Sequence, residues 1–99
     1  MKKTFIAAIM SLSMLSTSVY AEIKMGIILG FTGPIESLTP AMAASAELAF
    51  KEASDSGSLL GGKYIKAERA DSTCVDSAAA TAAAEGLISG GVTAIMGAD

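Results

Sequence analysis

The segment with the most chemical promise is Gly57-Ser-Leu-Leu-Gly-Gly62-Lys63. A glycine, four free positions and Gly-Lys are how a phosphate-binding loop begins. Its backbone N–H groups cradle phosphate oxygens, its lysine neutralises them, and a Ser or Thr in the next position holds magnesium. Here the next residue is Tyr64. The segment also follows a helical pattern and opens a strand pattern, the reverse of the order that brings a helix N-terminus to phosphate. It reads as a helix-to-strand loop. Gly26, Gly30 and Gly33 raise a dinucleotide reading, but their spacing departs from G-x-G-x-x-G. They read as glycines that let a wide loop leave a sheet, and no cofactor is expected.

Nucleophilic and metal chemistry have little to work with. The chain holds one cysteine, Cys74, and no histidine, so neither Ser-His nor Cys-His activation can be assembled from it. There is no G-x-S-x-G elbow, and one cysteine with scattered carboxylates makes no metal set. Asp71 and Asp76 flank Cys74. Acids at a strand end and in the first turn of a helix are ordinarily capping groups. A reactive thiol needs positive neighbours to lower its pKa, and these neighbours are acidic. A structural half-cystine fits Cys74 best. No enzyme is expected from these residues.

The elements that carry these residues follow from periodicity. Residues 23–30 are nearly continuously apolar from Met25, as suits a strand buried on both faces of a parallel sheet. Phe31-Thr-Gly-Pro34 is turn chemistry. A helix is predicted over residues 39–56, with Thr39 as cap, Pro40 in the first turn and Gly57 as stop. Its apolar side is read as Met42, Ala46, Ala49, Phe50 and Ala53. Residues 64–71 alternate as a half-exposed or edge strand. A second helix follows, capped by Ser72 or Thr73, with Val75, Ala79, Ala83, Leu87 and Ile88 on one side. Gly90-Gly91 end it, and residues 92–96 form a third buried strand. The expected fold class is α/β: β-α-β-α-β, the start of a parallel doubly wound sheet in strand order 2-1-3. Ligands of such sheets bind beyond the carboxyl ends of the strands, here the loop at residues 31–38 and whatever follows Gly97.

The N-terminus has a different character. Lys2 and Lys3 precede an apolar run that turns small and polar and ends Val19-Tyr20-Ala21. That is the pattern of a cleavable secretory signal over residues 1–21, cut between Ala21 and Glu22. The run is about half the roughly 20 apolar residues that a spanning helix needs. Loss of Lys2 and Lys3 leaves five basic side chains against ten acidic ones, with no basic face for nucleic acid or anionic lipid. The remaining residues 22–99 make a marginal domain of about 78 residues. A single cysteine in an oxidising compartment and an end directly after a buried strand read as the front of a longer chain. As an isolated piece it is expected to be poorly stable.

Ile23-Lys-Met-Gly-Ile-Ile-Leu-Gly-Phe-Thr-Gly-Pro34, Asp71-Ser-Thr-Cys74 and Ala94-Ile-Met-Gly-Ala-Asp99 together resemble the start of the branched-chain amino-acid (Leu/Ile/Val) binding proteins. These are exported receptors of ABC importers with the type I periplasmic binding fold. The resemblance covers residues 22–99 as an incomplete first lobe of a two-lobed, hinged protein. It implies a periplasmic receptor, monomeric when full length, that binds an amino acid or related small molecule and delivers it to an inner-membrane permease. It also implies a disulfide from Cys74 to a cysteine just beyond Asp99. The pocket wall would include the loop of Glu36, Ser37 and Leu38, and then Asp99, most of the site lying further on. Relatives sometimes place an aromatic side chain where Leu38 stands, so the ligand stays open. Other readings are a ligand-sensing domain of the same fold and, more remotely, a secreted α/β hydrolase.

Overall fold

The computed structural model describes residues 21–99. Apart from Ala21, the expected secretory signal lies outside the described residues. Three strands and two helices alternate: β1 (Glu22–Leu29), α1 (Thr39–Asp55), β2 (Tyr64–Asp71), α2 (Ser77–Ser89) and β3 (Ala94–Met96). The sheet is parallel throughout in the order β2-β1-β3. β1 pairs along its whole length with β2, Glu22 opposite Tyr64 and Leu29 opposite Asp71. β3 is shorter than its periodicity predicts and is not buried as expected. As an edge strand among the described residues, it leaves Ala94 and Met96 exposed and Ile95 half-buried. It pairs with the middle of β1, from Met25 opposite Ala94 to Ile27 opposite Met96.

β1 has no polar residue in its second half because neither of its faces meets water there; Gly26, Ile27, Ile28 and Leu29 are all buried. Side chains alternate across a strand, and the two faces take different helices. Ile27 and Leu29 meet Ala43 of α1, with Phe31, Ala46, Phe50 and Ala67 around them. On the other face Gly26 makes room for α2: a Cβ there would stand 2.7 Å from Cδ1 of Leu87. Leu87 is the buried residue of α2. Lys24, on the same face of β1, reaches the end of α2, where its ammonium donates to the carbonyl of Gly90 at 3.1 Å. Glu68 of β2 stands 3.9 Å from the same ammonium.

The apolar sides read from the sequence hold in part: Ala46 and Phe50 of α1 pack on the core and Leu87 of α2 is buried, while other members of each side are not. In α1 the fully buried residues are Thr39 and Ala43. Met42 is 46% exposed and Ala49 is exposed, because the narrow stripe Thr39, Ala43, Ala46, Phe50 is what fits against the sheet. Thr39 does not cap the helix. It is the first helical residue, with Leu38 before it offering no side-chain bond, and its hydroxyl donates instead to the carbonyl of Gly30 at 3.0 Å. In α2 the cap is Asp76, not Ser72 or Thr73. Its carboxylate accepts from the N–H groups of Ala78 and Ala79 at 2.9 and 3.3 Å, as an N-cap acid should. Val75 precedes the helix and Ile88 faces outward; both are largely exposed.

Between α1 and β2 the glycine-lysine segment forms a single 3-10 turn, Leu59–Gly61. It leads from helix into strand, the order opposite to that of a phosphate-binding loop. β2 is held to α1 from outside: the hydroxyl of Ser54 donates to the carbonyl of Phe50 at 2.7 Å and accepts from the N–H of Ile65 at 2.8 Å. Further along, the Arg69 guanidinium pairs with Glu47 at 2.5 Å and lies 5.4 Å from the centre of the Phe31 ring.

Ile27 is fully buried between the sheet and α1, so truncating it to alanine leaves a cavity in the core. Ile27→Ala should lower stability by about 2–5 kcal/mol, read as a lower midpoint in urea unfolding. Leu48→Ala, on the exposed side of α1, should leave that midpoint within about 0.5 kcal/mol of its starting value.

Candidate functional site at the carboxyl ends of the strands

The peptide groups at the end of β1 are claimed by three other segments. The carbonyl of Leu29 accepts from Phe31 N–H at 2.9 Å and from Ser72 N–H at 3.0 Å. The carbonyl of Gly30 takes the Thr39 hydroxyl. The N–H of Gly30 points to the carboxylate of Asp99, 2.9 and 3.1 Å from its two oxygens. The buried Ser72 hydroxyl donates to the same carboxylate at 3.1 Å and accepts from Cys74 N–H at 3.2 Å. Residues that follow β1, β2 and β3 therefore meet at one point, where a strand-end site of an open parallel sheet belongs.

A second junction joins the loop after β1 to the loop after β2. The Asp71 carboxylate accepts from the backbone N–H and the hydroxyl of Thr32, at 3.2 and 2.5 Å, and from the N–H of Thr73 at 2.8 Å. The Thr32 hydroxyl first, then the Thr73 amide, hold the Asp71 carboxyl below its ordinary pKa. Thr73 and Cys74 both carry positive φ, 61° and 66°, so the chain coils tightly before Asp76 starts α2. The loops also touch by backbone: Gly33 sits at φ 105°, and a Cβ there would stand 2.5 Å from the Thr73 carbonyl oxygen.

Of the residues expected at the ligand, Glu36, Ser37 and Leu38 lie together on the last turn before α1 and are exposed, Leu38 by 59%. Backbone bonds from Glu36 N–H to Gly33 O and from Leu38 N–H to Ile35 O fold that stretch into successive turns. Asp99 stands apart from them, engaged with Gly30 and Ser72. Asp99, Ser72, Cys74 and Asp76 line a cavity of about 300 Å³ at the head of α2; Glu36, Ser37 and Leu38 are not among its walls. Cys74 is partly buried with a free thiol. Three contributors escape the sequence reading: Thr39, Ser72 and Thr32. The signal for Thr32 is a hydroxyl residue just past one strand and an aspartate ending its parallel neighbour, with Leu29 opposite Asp71 in register. Among the described residues no three His, Cys, Asp or Glu side chains are placed to share a metal ion. No described helix is long and apolar enough to cross a membrane.

The model of the periplasmic binding protein family matches residues 22–99 of the chain. The chain belongs to that family. It is the family of leucine- and branched-chain amino-acid-binding type I periplasmic binding proteins. The parallel β2-β1-β3 sheet with a helix on each face agrees with the start of the periplasmic binding protein fold. Proteins of this family bind small molecules, typically work with ABC permeases, are generally not enzymes and act outside the cytoplasm. No curated protein matches the chain.

The close contact of Gly33 with Thr73 gives a direct check of the periplasmic binding protein's strand-end geometry. Gly33→Ala should destabilise the protein by about 1–3 kcal/mol, since it adds a left-handed backbone penalty to a clash with a carbonyl. Gly57→Ala has a positive φ but open space around it, so its loss should be the smaller in paired thermal unfolding scans.

Proposed function

We propose that the protein is the substrate-binding receptor of an ABC importer, taking a branched-chain or related amino acid and handing it to a permease in the inner membrane. The observation that carries this reading is the family match over residues 22–99. The gathering of the loops after all three strands at one end of the sheet supports it. Residues 22–99 are then part of a first lobe, and the ligand is closed between two lobes by hinge motion rather than transformed. Within this stretch the loop of Glu36, Ser37 and Leu38 forms one part of the pocket wall, and Asp99, which stands apart from it beside Gly30 and Ser72, forms another. Polar groups that only the right ligand satisfies provide discrimination. Cys74 lies next to Ser72 and Asp99, a position from which a disulfide to a following cysteine would fasten the loop after β2 to the loop after β3.

Calorimetric titration of the full-length protein with L-leucine, L-isoleucine and L-valine tests the ligand class. Saturable 1:1 binding to at least one is expected, and no heat from these or from other amino acids, amides and urea would remove the amino-acid reading. Export is tested separately. The N-terminus of protein recovered from the periplasmic fraction should read Glu-Ile-Lys from Glu22, and a retained Met1 would contradict cleavage after Ala21.

A further inference from the structure

We propose that Asp71 is a positioning residue that fixes the course of the loop after β1, and through it the face that this loop presents to a ligand. The consequence for ligand affinity rests on the receptor reading above; the fixing of the loop does not.

Beyond Phe31, which packs on the core, the loop between β1 and α1 is held by polar contacts at two places. At its far end the buried Thr39 hydroxyl bonds to Gly30, which sets where α1 begins. At its near end the Asp71 carboxylate takes both the N–H and the hydroxyl of Thr32, while the Thr73 carbonyl lies against Gly33. Residues 34–38 run between these anchors and carry Glu36, Ser37 and Leu38, all exposed. Their own support is backbone turns within the loop. Removing the near anchor leaves the loop joined to the fold by Phe31 on the core, by the backbone contact at Gly33 and at Thr39, with the stretch from Thr32 to Leu38 freer to move. A carboxylate suits this task because one group accepts three donors, and bonds to an ionised acceptor are stronger than neutral ones. Asp71 is itself fixed, since it ends β2 opposite Leu29 and holds the N–H of Thr73 at 2.8 Å.

Other charged groups stand on the elements around it. Arg69 lies two residues earlier on β2, paired with Glu47 of α1; Asp76 heads α2; Asp99 follows β3. Within the described residues none of them shares a hydrogen bond with Asp71. The donors that lower its pKa are the Thr32 hydroxyl and the amides of Thr73, Thr32 and Phe31. A carboxyl lowered in the folded state contributes at neutral pH and loses its contribution as pH falls through the lowered value. The anchor's contribution to stability is therefore complete above about pH 4, the carboxylate's unfolded pKa, and is lost as pH falls through the lower folded-state value.

Amide NMR of the full chain tests the inference. The Thr32 amide proton should shift with acidification along a single-carboxyl curve whose midpoint lies below the ordinary 3.8, and Asp71→Asn should abolish that titration. Asp71→Ala should speed hydrogen exchange at Thr32 by about tenfold, as expected for loss of a bond to a charged acceptor. Thr32→Val, which spares the fold if Asp71→Ala does not, should also speed it, and Thr32→Ser should restore protection. Titration with L-leucine should show weaker binding in Asp71→Ala and in Thr32→Val, with the double variant no weaker than Asp71→Ala alone. A Thr32 amide that ignores acidification and keeps its protection in both variants overturns the proposal. If the unaltered protein binds no amino acid, the receptor reading falls, while the Thr32 titration and exchange still decide the role of Asp71.

Discussion

A parallel strand that ends inside a protein leaves peptide groups which the sheet no longer pairs and water does not reach. At the end of β1 this requirement organises its surroundings. Leu29 offers its carbonyl to Phe31 and Ser72, and Gly30 offers its carbonyl to Thr39 and its N–H to Asp99. These partners lie at the two ends of the loop after β1 and in the segments after β2 and β3, so satisfying one strand end ties three strand-end segments together. The apolar core holds the sheet to its helices, but it is this polar accounting that sets how the loops leave the sheet. Buried hydroxyls carry much of it. Thr39 and Ser72 are the buried polar residues of the described chain, and both sit at this junction.

The fold was largely legible because β1 is legible. A run such as Ile27-Ile28-Leu29 with no polar member has few homes other than the centre of a parallel sheet. Once β1 is central, right-handed crossovers put β2 and β3 on opposite sides of it, as found. Helix existence followed from alanine content and the stopping glycines. Helix rotation followed only in part, with Ala46, Phe50 and Leu87 facing the core and Met42, Ala49 and Ile88 facing out. Ala, Met and Leu on several sides of α1 leave the wheel ambiguous, and the sheet selects Ala43 and Ala46 over Met42 because close packing against β1 favours small side chains. The cap of α2 slipped for a related reason. Ser72, Thr73 and Asp76 all have cap chemistry; the positive φ at Thr73 and Cys74 delays the helix until only Asp76 is in place to serve.

The candidate site was legible by location more than by residue. Strand order alone points to the loops after β1 and β3, and that is where Gly30, Ser72 and Asp99 converge. The bond between Thr32 and Asp71 joins residues 39 apart in sequence, and it follows from register between parallel strands rather than from any local pattern. Glu36, Ser37 and Leu38 entered through family resemblance, and nothing in their spacing distinguishes them from other solvent-facing turn residues. The glycine-lysine segment shows the converse, a recognisable pattern whose place between α1 and β2 deprives it of the helix terminus its chemistry would need.

The Ser54 hydroxyl has a consequence for how molecules of this protein meet one another. β2 has β1 as its sole strand neighbour among the described residues, and the outer margin of such a strand invites a foreign strand to add on and so begin aggregation. At Ile65 that margin is already closed, because its N–H is given to Ser54 while Ser54 gives its own proton to Phe50. An intruding strand would have to turn Ser54 away from two partners before it could bond at Ile65. Next to it, Lys66 would meet the same charge on an identical strand laid in register. A single helix serine thus takes one pairing position from a strand edge that packing alone would leave open.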